Sequence, residues 1–325
     1  MNAIEGFPEA LALCDGRPRR IGVELEFGGL SIATACAVVQ ELFDGTTIPL
    51  SAWQARVAGT VHGDFEIRLD SRLAQVDATV GDDLLGLLQR EAAEVAGEVL
   101  SVWTPCEISA PPVPLAALPQ MDRLAAALRA AGAEGSGARP HYAYALQLNP
   151  EVRALDVAEV LRTLQSFLLL EDWLRAGCLR DLSRRVSLFV RPFPEDYRRA
   201  VLQPGYRPDW DRLIIDYLMA NPTRNRDLDM LPLFASVRPG LVAALSDDPR
   251  VKPRPAYHYR LPDSRLDEPG WSVTGEWRRW ARVEVLAADE QRFAQVRRAF
   301  LEWGDLLDPA DWQDWLAGRQ GLEVL

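Results

Sequence analysis

Apolar and polar residues alternate over Arg20-Ile21-Gly22-Val23-Glu24-Leu25-Glu26-Phe27, the period of a half-buried strand. Ile21, Val23, Leu25 and Phe27 fall on one face; Gly22, Glu24, Glu26 and Gly28 fall on the other. A second alternating run, residues 61–70, sets Phe65, Ile67 and Leu69 against His62, Asp64, Glu66, Arg68 and Asp70. A third, residues 141–150, sets Tyr142, Tyr144, Leu146 and Leu148 against His141, Ala143, Ala145, Gln147 and Asn149. Shorter strands are predicted at 99–103, at 106–112 (around Glu107, ended by Pro111 and Pro112), and at 255–261. Another is predicted at 280–286, with Val283 and Val285 opposite Arg282 and Glu284. Helical spacing appears elsewhere. Ser31 caps a helix to Phe43 that Gly45 releases, and further helices are expected near 81–97, 115–131, 156–176 (capped by Asp156) and 290–307. The tryptophans near 312–315 read as packing residues.

Strands with one apolar face and one face of acids, amides and glycines fit an α+β fold. In it an open antiparallel sheet packs helices on one side and turns a carboxylate-lined face the other way. The 325 residues are expected to form a single domain. Residues 1–150 would begin the sheet, 151–250 form a mainly helical insertion, and 251–325 supply closing strands and C-terminal helices.

Composition narrows the functional classes. A net charge of −11 argues against a nucleic-acid surface. Cys14, Cys36, Cys106 and Cys178 have no metal-like spacing and read as reduced thiols of a cytoplasmic protein. Neither a signal peptide nor a membrane span is expected. Isolated Glu107, inside a short apolar strand, should face water or a cation. Carboxylate oxygens with few His and no paired Cys select hard cations, Mg2+ or Mn2+. Arginine-bearing segments at 184–192 and 221–227 suit phosphate or carboxylate. Together these are the parts of a nucleotide triphosphate site. No Walker A or Rossmann glycine pattern is present.

Three short motifs then resemble a known family: Gly22-Val23-Glu24-Leu25-Glu26, Glu107-Ile108-Ser109-Ala110-Pro111-Pro112 and Val283-Glu284-Val285. Their order resembles the amidoligases, a branch of the glutamine synthetase and γ-glutamylcysteine ligase superfamily. Gly63-Asp64-Phe65, Pro192-Phe193-Pro194 and the stretch 221–232 add to the likeness. The resemblance implies ATP-driven ligation of a carboxylate to an amine or ammonia through an acyl phosphate. It implies Glu24, Glu26, Glu107 and Glu284 as metal ligands, and Asp64 or Asp70 as a further acid. Gln147 falls where relatives often carry a His that contacts metal or phosphate, and Leu286 where they place an Arg. Arg282, Arg279, Arg185 or Arg224 would take that phosphate role. The partners implied are a small-molecule, peptide or protein carboxylate and an amine, with no nucleic acid and no membrane. Three other readings stay open: a degenerate member that binds nucleotide or peptide without turnover, a metal-dependent amide hydrolase, and a plain α+β protein with solvated acids.

Overall fold

The computed structural model describes residues 13, 15–69, 105–138, 144–178, 191–303 and 309–320. The helix expected near 81–97, the strand at 99–103, Asp70, Cys14 and Arg185 lie outside the described residues.

The described residues form an α+β fold with an open eight-stranded sheet and ten α-helices. The strands are β1 (Arg20–Phe27), β2 (Thr46–Ser51), β3 (Gln54–Thr60), β4 (Gly63–Leu69), β5 (Cys106–Pro114), β6 (Leu146–Pro150), β7 (Leu228–Asp229) and β8 (His258–Tyr259). Their order is β2-β3-β4-β5-β1-β6-β8-β7. The β2–β3, β3–β4, β4–β5, β6–β8 and β7–β8 pairs are antiparallel. The helices are α1 (Ile32–Phe43), α2 (Leu118–Ala130), α3 (Val157–Cys178), α4 (Glu195–Leu202), α5 (Trp210–Ala220), α6 (Leu231–Val237), α7 (Pro239–Leu245), α8 (Val273–Ala288), α9 (Glu290–Trp303) and α10 (Pro309–Gln320).

The chain folds as two compact units. The first, here the carboxylate unit, comprises Ile21–Gln147 and Asp263–Thr274; the second, the helical unit, comprises Met1–Arg20, Leu148–Pro262 and Gly275–Leu325. In the carboxylate unit, α1 begins where expected because Ser31 Oγ accepts from Thr34 N at 3.1 Å. It ends at Asp44 and Gly45, both at positive φ (61° and 97°). Phe27, Val39, Phe43, Phe65 and Ile67 supply the core of this unit, with the Phe43 and Phe65 rings stacked at 5.4 Å. In the helical unit, Asp156 Oδ1 accepts from Ala158 N and Glu159 N (2.9 and 3.1 Å) and so opens α3 as expected. Phe167 of α3 packs on Tyr259 of β8 at 6.0 Å, and Trp280 lies 5.3 Å from Tyr257.

Three local expectations are corrected. Residues 280–286 are helical, within α8, not a strand. Trp280, Ala281, Val283 and Glu284 are all buried while Arg282 and Val285 are half-buried, which is the spacing of a helix face. Five alternating letters made too short a window to tell the two periods apart. The strand around Glu107 runs on through Pro111 and Pro112 to Pro114. Its ladder to β4 covers only Cys106–Ser109, so the prolines end the pairing with β4 and not the extended backbone. The strand expected at 255–261 is reduced to His258–Tyr259. The hairpin of β2 and β3 was unannounced, because edge strand β2 exposes Ile48 and Leu50 and so writes no buried stripe.

Candidate active site

The polar face of the carboxylate unit is built by strand alternation. On β1, Ile21, Val23, Leu25 and Phe27 are buried, so Glu24 and Glu26 emerge half-buried on the other face. Ala145 N donates to Glu26 Oε2 at 2.8 Å, and Gln147 Nε2 donates to Glu26 Oε1 at 3.2 Å. Glu26 N donates in turn to Ala145 O at 2.9 Å. Gln147 therefore lies on the same face as the β1 glutamates and fixes the orientation of one of them.

On the other side of β1 in the strand order is β5, which carries Glu107. The β4–β5 register places Arg68 opposite Glu107 and Glu66 opposite Ser109. Arg68 Nη2 and Ser109 Oγ donate to the same oxygen, Glu107 Oε1, at 2.7 and 2.8 Å. Arg56 reaches Glu66 at 3.4 Å. Glu107 is buried (3% exposed). Burial first, and the neighbouring charge of Glu24 second, push its carboxyl above the usual range; Arg68 and Ser109 pull the other way without cancelling the effect. Glu107, expected to face water or a cation, meets the guanidinium of Arg68, a residue assigned no role from sequence. Its place on the same face as Glu66 was the available signal.

Other candidates have different surroundings. Asp64 is exposed, and its Oδ1 accepts from Gly59 N at 3.0 Å, which ties the turn between β3 and β4. Glu284, Arg224, Arg279 and Arg282 belong to the helical unit. Glu284 sits on α8 with both oxygens engaged. Arg19 Nη2 donates to Oε1 at 2.6 Å, Arg19 Nη1 to Oε2, and Trp280 Nε1 to Oε1 at 2.5 Å. The Arg19 and Glu284 side chains are 1% and 2% exposed. This is a buried bidentate pair, and nothing in the sequence around Arg19 marked it. Arg224 Nε donates to Asp229 Oδ2 at 2.9 Å, the same oxygen that lies 3.2 Å from His258 Nδ1. Arg279 pairs with Glu276 one turn back at 3.3 Å. Arg282 lines an apolar hollow with Leu170, Val285, Leu286, Arg292, Val296 and Leu316. Of the expected set, then, Glu24, Glu26, Glu107 and Gln147 lie on the polar face of the carboxylate unit.

The donor chemistry there fits a hard divalent cation. Glu24 lies close enough to Glu107 to oppose its ionisation, and a cation between the two carboxylates would relieve that repulsion. Among the described residues no three His, Cys, Asp or Glu side chains converge as a ready-made metal cage. Mg2+ does not require one, since it is commonly held by one or two carboxylates, with substrate phosphates and water completing the octahedron.

Comparison with curated proteins and with solved structures finds no match. Comparison with family models matches residues 17–282 to the family described as "Putative amidoligase enzyme". That span holds Glu24, Glu26, Arg68, Glu107 and Gln147 together. The chain belongs to the amidoligase family.

Proposed function

We propose that the protein is an ATP- and Mg2+-dependent carboxylate–amine ligase working through an acyl phosphate, of the glutamine synthetase-like kind. Manganese is an alternative cation. The observation that carries this reading is the polar sheet face on which Glu24, Glu26, Glu107 and Gln147 gather, where burial and then the charge of Glu24 oppose ionisation of Glu107. Ligation of a carboxylate at the expense of ATP brings two anions, the carboxylate and the triphosphate, into contact. A cation held by Glu24 and Glu107 would offset that charge.

The remaining residues take roles that their geometry supports. Gln147 holds Glu26 by hydrogen bond and, having both donor and acceptor atoms, can also offer an N–H to phosphate or substrate. Arg68, whose side chain is 44% exposed, neutralises Glu107 and can carry positive charge to an incoming anion. In the reaction the substrate carboxylate oxygen attacks the γ-phosphorus and ADP leaves. The amine nitrogen then attacks the acyl carbon, the bond to phosphate breaks, and the amine's proton passes to a base. Neither Asp64, engaged in a turn, nor Glu284, engaged by Arg19, is needed for this scheme.

A screen of amino acids and small peptides, read by ADP release, tests the proposal. The expected result is ADP formation that requires Mg2+ or Mn2+, a carboxylate and an amine together. Amide cleavage that proceeds equally with and without ATP would overturn it in favour of a hydrolase.

A further inference from the structure

The polar face of the carboxylate unit runs two strands beyond Arg68. Ile48 of β2 lies opposite Arg56 of β3, Arg56 opposite Glu66 of β4, and Glu66 opposite Ser109 of β5. Beside this row runs a second, with Gln54 of β3 opposite Arg68 of β4 and Arg68 opposite Glu107 of β5. Directly paired residues share a face, so Ile48 stands on the face that carries Glu107. The reverse face is the packed one: Val57, Phe65 and Ile67 are buried there, and Thr47 Oγ1 donates to Gln40 Oε1 of α1 at 2.6 Å. At the edge of the sheet the polar rows thus give way to aliphatic side chains. Ile48 is 44% exposed and Leu50, two residues on, 46%. Between them and Glu107 lie the part-exposed side chains of Arg56 and Glu66, in contact at 3.4 Å.

Exposed aliphatic residues on an edge strand invite pairing with another strand, but here the backbone opposes it. Pro49, between Ile48 and Leu50, has no N–H to donate, and the ladder to β3 is broken between Pro49 and Ser51. What β2 offers instead is its face, which is continuous with the candidate active site. We propose that the face of β2, β3 and β4 docks a peptide laid across the strands, with an aliphatic side chain on Ile48 and Leu50 and its reacting carboxylate at the Glu24 and Glu107 end. The inference rests on the ligase reading and names the class of its acyl substrate, a peptide and not a free amino acid. Length decides the class. Three strand spacings separate β2 from β5, about 14 Å at ~4.8 Å each, which an extended chain covers in about four residues. A free amino acid is too short to touch both ends. Arg56 and Glu66 supply a donor and an acceptor to the main chain that crosses between them.

The test uses the full chain with Mg2+ and no ATP, and reads the fluorescence anisotropy of Leu-Gly-Gly-Gly-Glu carrying fluorescein on an N-terminal spacer. Gly-Gly-Gly-Leu-Glu, of the same composition, and Gly-Gly-Gly-Gly-Glu are expected to bind about tenfold more weakly, the worth of one buried aliphatic side chain. Ile48→Ser combined with Leu50→Ser alters only exposed side chains. It is expected to weaken binding of Leu-Gly-Gly-Gly-Glu about tenfold, with an unchanged melting temperature confirming the fold. The proposal is overturned by no binding at ~1 mM peptide, by equal affinity for the two Leu peptides, or by a double variant that binds as wild type does. A wild-type dimer that the double variant abolishes, read by sedimentation, would overturn it too, by giving Ile48 and Leu50 to a second copy. Because binding is read without ATP, the two readings fail separately. A chain that shows this peptide preference but releases no ADP upholds the docking face and overturns the ligase reading. A chain that releases ADP with free amino acids but shows no peptide preference upholds the ligase reading and overturns the docking face.

Discussion

At Glu107, burial and the nearby charge of Glu24 both disfavour ionisation, and the consequence is a stability that depends on pH. Its carboxyl titrates higher in the folded chain than in the unfolded one, so the native state holds the proton more tightly. The stabilisation from that proton is complete below the unfolded carboxyl range, about pH 4. It is lost as pH rises through the higher folded value. Metal-free protein should therefore lose stability across this window. Glu107→Gln, which keeps an acceptor oxygen for Arg68 and Ser109, should flatten the loss. Glu24→Gln, which removes the second cause, should reduce it. Melting temperatures against pH in EDTA measure this, and parallel curves for wild type and Glu107→Gln would show that the carboxyl titrates normally. The sequence displayed the two-residue period that sets Glu24, Glu26 and Gln147 on a polar face. It could not display that Glu107 is buried, because burial depends on what packs over a strand and leaves no period in the strand itself. Nor did it single out Arg68, since an arginine among acids on an alternating strand reads equally well as a solvated residue.

Elements with a long stripe were legible: α1 and α3 each begin at the residue whose side chain caps them, Ser31 and Asp156. Helix α8 was not, because its inward face carries Glu284, and an inward carboxylate is readable only once Arg19 is known to meet it from far along the chain. That pair gives a prediction at this scale. Glu284→Ala leaves the Arg19 guanidinium buried without its counter-charge, and should cost about 3–5 kcal/mol in urea denaturation. Arg19→Met should cost a similar amount. The double variant Arg19→Met with Glu284→Leu should recover much of the loss, because it removes both buried charges. A cost for Glu284→Ala that appeared only in the presence of Mg2+ would instead mark Glu284 as a ligand. The β2 end of the sheet is held by a different device. Gly45, at φ 97°, would bring a Cβ to 2.8 Å from Ala58 O. Gly45→Ala should thus cost about 1–3 kcal/mol through backbone strain together with that close approach. A melting temperature equal to wild type would show that the turn relaxes freely.

For the molecule as a whole, the open antiparallel sheet with helices was legible from strands repeating one asymmetry, apolar on one side and acids, amides or glycine on the other. The expected placing of four glutamates on sheet strands was a different matter: it relied on short motifs, and one of them, at Glu284, proved to be helical. What the chain gains from its polar face is best decided by its response to metal. In the metal-free protein Glu24 and Glu107 repel, whereas Glu26 is satisfied by Ala145 N and Gln147 Nε2. Glu26→Gln would keep an acceptor oxygen for Ala145 N but turn its amide N–H toward the Gln147 amide, forcing a rearrangement there unrelated to metal. Glu24→Gln is the cleaner variant, since it keeps the volume and removes one of the two opposed charges. In EDTA it should be at least as stable as wild type. Mg2+ binding to the folded state alone would stabilise wild type by about 2.7 kcal/mol at a hundredfold excess over the dissociation constant. Glu24→Gln should lose most of that gain and, with it, ADP release. If Glu24 and Glu107 held no metal, Mg2+ would shift neither melting curve. Equal responses of the two proteins to Mg2+, measured against EDTA, would therefore remove Glu24 from any metal site.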